Sequence, residues 1–470
     1  MRISSLLALW MVLVFGGAMV AAKEPTPTTD QQADVSFYRD VRPIFQAHCQ
    51  GCHQPAKPSG EYVMTAFEQL TAGGESGEAA VVPGKPDESY LMQQIEPIDG
   101  KAAMPEGRPP LSDAEIKLIA RWIAAGAKDD SPASARPRYD AEHPPVYAAP
   151  PVITSLDFSP DGKLLAISGY HEVVLRDVET SDVEARLVGM SERIESAKFS
   201  PDGKQLAVAG GSPGRMGELQ IWNVADKKLE LGRTEGFDTL YGASWSPDGK
   251  LVAFGCPDNT SRAIEAKTGK QVLFNLAHSD WVLDTVFAVN SDHLVTVSRD
   301  RSMKLINVET QRFIDNITSI TPGALKGGLL AVDRHPEKDE LLVGGADGVP
   351  KIYRMYREKD RKIGDDFNLI KAFAGMPGRV FDVAFSRDGE RIVAGSSNAG
   401  AGQVRVYAVE DGKEQMKIEI PQGGIFAVAI SPDGKRVASG GFDGLVRIHD
   451  TASGELLHEF PPVPLTEDND

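Results

Sequence analysis

Ile425-Phe426-Ala427-Val428-Ala429-Ile430-Ser431-Pro432-Asp433-Gly434 decides the fold of most of this chain, together with Val437-Ala438-Ser439-Gly440 and Leu445-Val446-Arg447-Ile448 just after it. An alternating run meets an Asp-Gly turn. A run of small residues follows, then a third run and a polar fourth. Asp-Gly supplies the positive φ that closes a hairpin, so the first two runs pair as strands. The same turn stands at Ser159-Pro-Asp-Gly, Ser200-Pro-Asp-Gly and Ser246-Pro-Asp-Gly, with Ser386-Arg-Asp-Gly one residue different. Two weaker copies, Asn290-Ser-Asp-His and His335-Pro-Glu-Lys, fill the gaps, and the steps are 41, 46, 44, 45, 51 and 45 residues. That period belongs to a four-stranded propeller blade. One blade cannot bury its faces alone, whereas a closed ring can. Residues 152–460 are therefore expected to form an all-β, seven-bladed propeller.

The units resemble degenerate WD repeats. Trp222-Asn223, Ile306-Asn307 and His449-Asp450 stand where the Trp-Asp pair would be, and His278 with Asp284 and Ser298 resembles the buried polar network of such repeats. His278 reads as a satisfied structural histidine, and the other propeller histidines show no metal-ligand spacing. Cys256 has no cysteine left to pair with and reads as a buried thiol. Two local departures, the charged insertion Arg357-Glu358-Lys359-Asp360-Arg361-Lys362 and the stretch Asn398-Ala399-Gly400-Ala401-Gly402, read as solvated loops, with partner docking as the alternative.

Upstream of the repeats lies Cys49-Gln50-Gly51-Cys52-His53. Two cysteines three apart with a histidine after the second form the attachment signature of a c-type haem. The thiols of Cys49 and Cys52 would add across the two porphyrin vinyl groups. Their i, i+3 spacing puts both sulfurs on one side of a helical turn. His53 is then placed to give its imidazole to the iron as proximal ligand. A zinc knuckle would need two further ligands at short spacing, and none follows. A disulfide would leave His53 idle.

Phe37, Val41, Ile44 and Phe45 are spaced to face one way, predicting a short helix into the motif despite Pro43. Ser112 and Glu115 form a capping box, with Leu111 and Ile116 at the staple positions. Ile116, Ile119, Ala120 and Ile123 make an apolar stripe flanked by Trp122, and Gly126 ends the helix. Met64, Met92, Met104 and, less well placed, His48 are the candidates for a sixth iron ligand. Met104 sits in a Pro- and Gly-bounded loop, Lys101 to Gly107, and is preferred; Met92 and Met64 read as core. Val41-Arg42-Pro43-Ile44-Phe45, the haem motif, Val82-Pro83-Gly84-Lys85-Pro86 with Ser89, Met104-Pro105, Leu111-Ser112 and Trp122-Ile123-Ala124-Ala125-Gly126-Ala127 together resemble the planctomycete-type cytochrome c domain. That resemblance implies a small all-α, class I-like fold over 35–128, with His53 proximal and Met104 distal.

Composition supports a multidomain globular chain: 470 residues, 41% hydrophobic and 25% charged. A net charge of −17 gives no support to a nucleic-acid role. Residues 1–22 read as an export signal, with Arg2, an apolar centre and Val20-Ala21-Ala22 before Lys23; an uncleaved anchor is the alternative. A polar tether (23–34), a stiff linker with six prolines (129–151) and an acidic tail (461–470) complete the division. Tyr139 and Tyr147 of the linker read as parts of a solvated spacer, with contact to a neighbouring domain as the alternative.

The sequence thus implies a periplasmic or otherwise exported electron carrier with one covalent haem c. Its propeller would serve as the scaffold for an unidentified redox partner docking through the propeller loops, with no nucleic acid and no membrane span after signal cleavage. An oxidoreductase of nitrite-reductase-like architecture is the alternative, though those propellers have eight blades and a second haem. A non-redox adaptor is a third reading, opposed by the intact Cys49, Cys52, His53 and Met104.

Overall fold

The computed structural model describes residues 35–55, 57–132, 139–319, 326–362 and 366–466. The expected export signal and tether lie outside the described residues, as do 133–138 of the linker and 467–470 of the tail. Among the described residues, no helix is long and apolar enough to cross a membrane.

The N-terminal part is built on four short helices, α1 (Arg42–His48), α2 (Phe67–Ala72), α3 (Tyr90–Ile95) and α4 (Asp113–Ala124). A wide helical turn, Phe37–Val41, runs directly into α1. Pro43 falls in the first turn of α1, where its missing N–H costs nothing. Phe37, Val41, Ile44 and Phe45 are all buried, as their spacing predicts. They meet Trp122 of α4, whose ring centroid lies 5.2 Å from Phe37 and 6.3 Å from Phe45, with Phe67 edge-on at 6.1 Å. α4 begins where the sequence says it should. Ser112 Oγ accepts from the Glu115 amide at 3.3 Å, and Glu115 Oε2 accepts from the Ser112 amide at 2.7 Å. Leu111 and Ile116 are buried as the staple, and Gly126 turns the chain away at φ +98°. One antiparallel pair joins the helices: β1 (His53–Gln54) and β2 (Lys57–Pro58).

The remainder is antiparallel sheet. β3 (Leu156–Phe158), β4 (Leu164–Ser168), β5 (Tyr170–Asp177), β6 (Val183–Phe199), β7 (Gln205–Ser212), β8 (Met216–Asn223) and β9 (Lys228–Glu235) form one sheet in sequence order. Five four-stranded sheets follow: β10–β13 (241–275), β14–β17 (282–316), β18–β21 (329–372), β22–β25 (379–420) and β26–β29 (425–460). β6 pairs with β5 through Val183–Val188 and with β7 through Arg193–Phe199, so the seven-stranded sheet is two four-stranded units sharing one strand. The innermost strands β3, β6, β10, β14, β18, β22 and β26 adjoin one another in that order, and β26 returns to β3. Seven units in a closed ring fit a propeller.

The Ser-Pro-Asp-Gly turn is a small hydrogen-bonded cage, which is why it recurs. Ser159 Oγ donates to Asp161 Oδ1 at 2.6 Å and accepts from the Leu164 amide at 2.9 Å, while the Lys163 amide reaches Asp161 at 3.1 Å. Gly162 supplies φ +75°. The cages at Ser200, Ser246, Ser386 and Ser431 repeat these bonds.

Two expectations are corrected, the His278 network and the solvated linker, and two loops are located. His278 does not pair with Asp284: its Nδ1 meets Asp300 Oδ2 at 2.9 Å and its Nε2 meets Thr296 Oγ1 at 2.7 Å. Asp284 instead lines the central cavity, and Ser298 Oγ donates to the Asp280 carbonyl. The charged insertion is pinned to the ring, since Arg357 and Arg361 both pair with Asp315 of β17. The Gly-rich stretch closes the hairpin between β23 and β24, with Ala399 and Gly400 at positive φ. The linker is also not a free spacer. Tyr147 is buried, donates to Glu172 Oε1 at 2.8 Å and pairs with Leu465 of the tail, while Tyr139 packs against Tyr170 and His171. The seventh unit takes all four strands from the C-terminal end, so linker and tail, rather than a shared sheet, span the join.

Candidate haem site

The motif lies on the end of α1. The Cys49 amide donates to the Phe45 carbonyl at 2.9 Å, and the Cys49 carbonyl accepts from both the Cys52 and His53 amides at 3.1 Å. This turn sets the two cysteines a helical repeat apart. Both thiols are free, Cys49 half-buried and Cys52 exposed, so the disulfide alternative finds no support. Burial pushes the Cys49 thiol up to about 12, with Arg108 opposing it. Among the described residues no three His, Cys, Asp or Glu side chains converge as a metal site, so the zinc alternative finds no ligand set.

His53 is half-buried, and burial holds its imidazole below the usual histidine range, which favours the neutral form with a free lone pair. Its Nδ1 is buried without a hydrogen-bond partner among the described residues. Tyr62 lies beside it at 5.3 Å between ring centroids and donates to the Leu70 carbonyl at 2.7 Å. After His53 the chain reverses through β1 and β2. The Met64 amide then donates to the His53 carbonyl at 2.8 Å, and Gln50 Nε2 to the Met64 carbonyl at 2.9 Å.

Cys49 and Met104 pack, partly buried, against the same hydrophobic core. Met104 is tied by its amide to the Gln94 carbonyl at 2.8 Å. Met64 and Met92 lie inside that core, 2% and 3% exposed, as core packing requires. His48 is engaged elsewhere, at 3.2 Å from Glu115 of the helix cap. Two free thiols one helical repeat apart, an adjoining imidazole with a lowered pKa and a thioether packed on the same core as Cys49 are the donor set a c-type haem takes, so the residues present fit that group.

The turn is not a free surface. Gly51 and Gly232 of β9 meet backbone to backbone, and a Cβ on either would overlap the other's carbonyl oxygen. Gln54 Nε2 donates to Glu218 Oε1 at 3.0 Å, and Lys57 Nζ to the Glu230 carbonyl at 2.6 Å. Arg108, just past Met104, donates to the Ala47 carbonyl at 3.2 Å and lies 3.7 Å from Glu235. Sequence reasoning missed Tyr62, Arg108 and Glu218. Only Arg108, in the Met104 loop, carried any local signal.

Two families match separate parts of the chain. Residues 49–107 match the Planctomycete cytochrome C family, and residues 146–173, 269–307 and 412–450 match the WD domain, G-beta repeat. Eukaryotic translation initiation factor 3 subunit I of Eremothecium gossypii is 25% identical over 220 residues, 47% of this chain and 50% of that protein. The same factor from Aspergillus fumigatus is 28% identical over 133 residues, 28% of this chain and 37% of its own length. That of Candida glabrata is 26% identical over 119 residues, 25% of this chain and 33% of its own length. The chain thus spans half or less of these curated relatives. With the sheet ring, the repeats support a propeller scaffold, and one polypeptide here joins a planctomycete cytochrome C domain to WD repeats.

Proposed function

We propose that the chain is an exported monohaem c-type cytochrome that transfers electrons, with residues 35–128 as an all-α, class I-like domain and 152–460 as its seven-bladed scaffold. The observation that carries this is the grouping of donors: Cys49 and Met104 packed against one core, with His53, whose Nδ1 is buried without a partner, beside Tyr62. When bound, a haem supplies one-electron cycling of its iron between Fe(III) and Fe(II). Cys49 and Cys52 would hold it through two thioethers, each S–H adding across a vinyl C=C with its hydrogen going to carbon and no net oxidation. His53, whose charged form burial disfavours, would offer its imidazole lone pair to the iron. Met104 would offer a thioether, a ligand that favours the reduced state and raises the potential. With His53 and Met104 both given to the group, the chain would offer it no third ligand to release for a substrate, which favours a carrier over a catalyst. The partner is a redox protein docking through propeller loops, and the compartment is the periplasm or another exported one.

The mass of the mature protein tests this. It should exceed the chain by one haem, and Cys49→Ala with Cys52→Ala should abolish the covalent adduct. A haem extractable by acidic solvent from the unaltered sequence overturns the reading. Met104→Ala should remove the weak far-red charge-transfer band of a thioether–Fe(III) bond, whereas Met64→Leu and Met92→Leu should keep it.

A further inference from the structure

β9 is the last strand of its seven-stranded sheet, and an unpaired edge normally needs cover. Here the haem-motif unit covers it, with β2 and α1 lying against β9. At Gly232 the edge strand has no side chain, and Gly51, which lies between the two motif cysteines, seats its backbone there. A Cβ on Gly232 would also stand 2.8 Å from Gln54 Nε2. The two glycines therefore open a gap in β9 through which Gln54, the residue after His53, reaches the strand behind.

What it reaches is Glu218 of β8, which is fully buried. Its Oε1 accepts from Gln54 at 3.0 Å, and its Oε2 accepts from Ser191 Oγ at 2.7 Å and from Gln220 Nε2 at 2.6 Å. Gln220 is held in turn by Trp222 Nε1 at 2.7 Å. A buried carboxyl is costly unless its oxygens are matched, and one of the donors matching this one comes from the haem-motif unit.

We infer that Glu218 is a positioning residue for the haem-carrying turn: through Gln54, and through the side-chain-free gap at Gly51 and Gly232, the propeller fixes the backbone that presents Cys52 and His53. The inference takes the cytochrome reading as its base where it concerns potential, but the latch itself belongs to the polypeptide. The ring is then more than a partner platform, because a propeller side chain sets how rigidly and how drily the proximal side is held.

The test is a reciprocal exchange in the full chain. Gln54→Glu sets two carboxyls against each other. Gln54→Glu with Glu218→Gln restores one amide facing one carboxyl, with the roles reversed. In the haem-free Cys49→Ala, Cys52→Ala background, amide hydrogen exchange over 50–58 should accelerate about ten-fold or more in Gln54→Glu and return to near the parent rate in the double exchange. In haem-loaded protein the midpoint potential should fall in Gln54→Glu, since a wetter, more negative surrounding favours Fe(III), and recover in the double exchange. Gly232→Ala, made on the edge strand, should also accelerate exchange. Unchanged exchange in both Gln54→Glu and Gly232→Ala overturns the latch, as does a double exchange that fails to recover. A protein that takes up no covalent haem overturns the cytochrome reading instead and leaves the exchange result to decide the latch.

Discussion

Replacing Asp284 by Asn should favour the folded ring at pH 8 relative to pH 5.5 by about 2 kcal/mol, the difference between the two charging costs worked out below. The central cavity is lined by Asp157, Asp284, Asp333 and Asp382 with a single lysine, Lys198, 3.9 Å from Asp157. Burial pushes Asp284 up to about 7, against the amides of Val332 and Thr285 at 2.8 Å and the attraction of Lys198. An unfolded aspartate titrates near 3.9. The folded state therefore keeps its proton longer, and the stability this gives is full in acid and lost as pH rises from about 4 through 7. With those two values the charged form costs the folded state about 2 kcal/mol at pH 5.5 and about 4 kcal/mol at pH 8. Asn cannot ionise, and it forfeits one of the two amide bonds at a cost that does not vary with pH. The raw pH profile of the parent would hide the effect. His278, His335 and His449, all held down by burial, lose stability in the opposite direction, as pH falls below about 6.5. Subtracting parent from variant cancels them. Urea unfolding at the two pH values, followed by tryptophan fluorescence, gives the difference. Equal parent–variant gaps at both would show that Asp284 is already ionised at pH 5.5 and would refute the reasoning.

The Cys256 thiol, pushed up to about 12 by burial, should resist alkylation at pH 8 in the folded chain and react only after unfolding. Mass spectrometry reads this, and modification within minutes would contradict it. Ser112→Ala should cost about 1 kcal/mol of stability in the helical part, measured by chemical denaturation, because the α4 cap loses its acceptor. Tyr147→Phe should cost about 1–3 kcal/mol, since Glu172 keeps Arg186 at 2.6 Å but loses the phenol. A thermal midpoint identical to the parent would place linker closure elsewhere.

The parts legible in the sequence are those whose physics is local. The Ser-Pro-Asp-Gly cage closes within six residues, and the Ser112–Glu115 cap within four, so both carry their own signature. The haem motif is likewise a single turn. Elsewhere the deciding partner is far away in the chain. Gln54 and Glu218 are 164 positions apart, and nothing near Gly51 announces that its missing side chain serves a contact with Gly232 rather than a bend. Tyr147 reads as solvated because the tail that covers it lies more than 300 residues on. Repeat spacing assigns Asp284 to His278, whereas the strand pairing offers it Asp300, two residues beyond Ser298.

The 17-residue strand β6 gives the molecule a mechanical grain. Five of the seven units can each be peeled away as a separate sheet, but residues 156–235 are joined by one continuous girder. Pulled along the chain, that pair should yield as a single long event, while the others come away in shorter steps. The Cys49–His53 turn is bolted to the far edge of this girder, at β9. A load or thermal fluctuation that opens any other unit should leave the Cys49–His53 turn seated on its own mount.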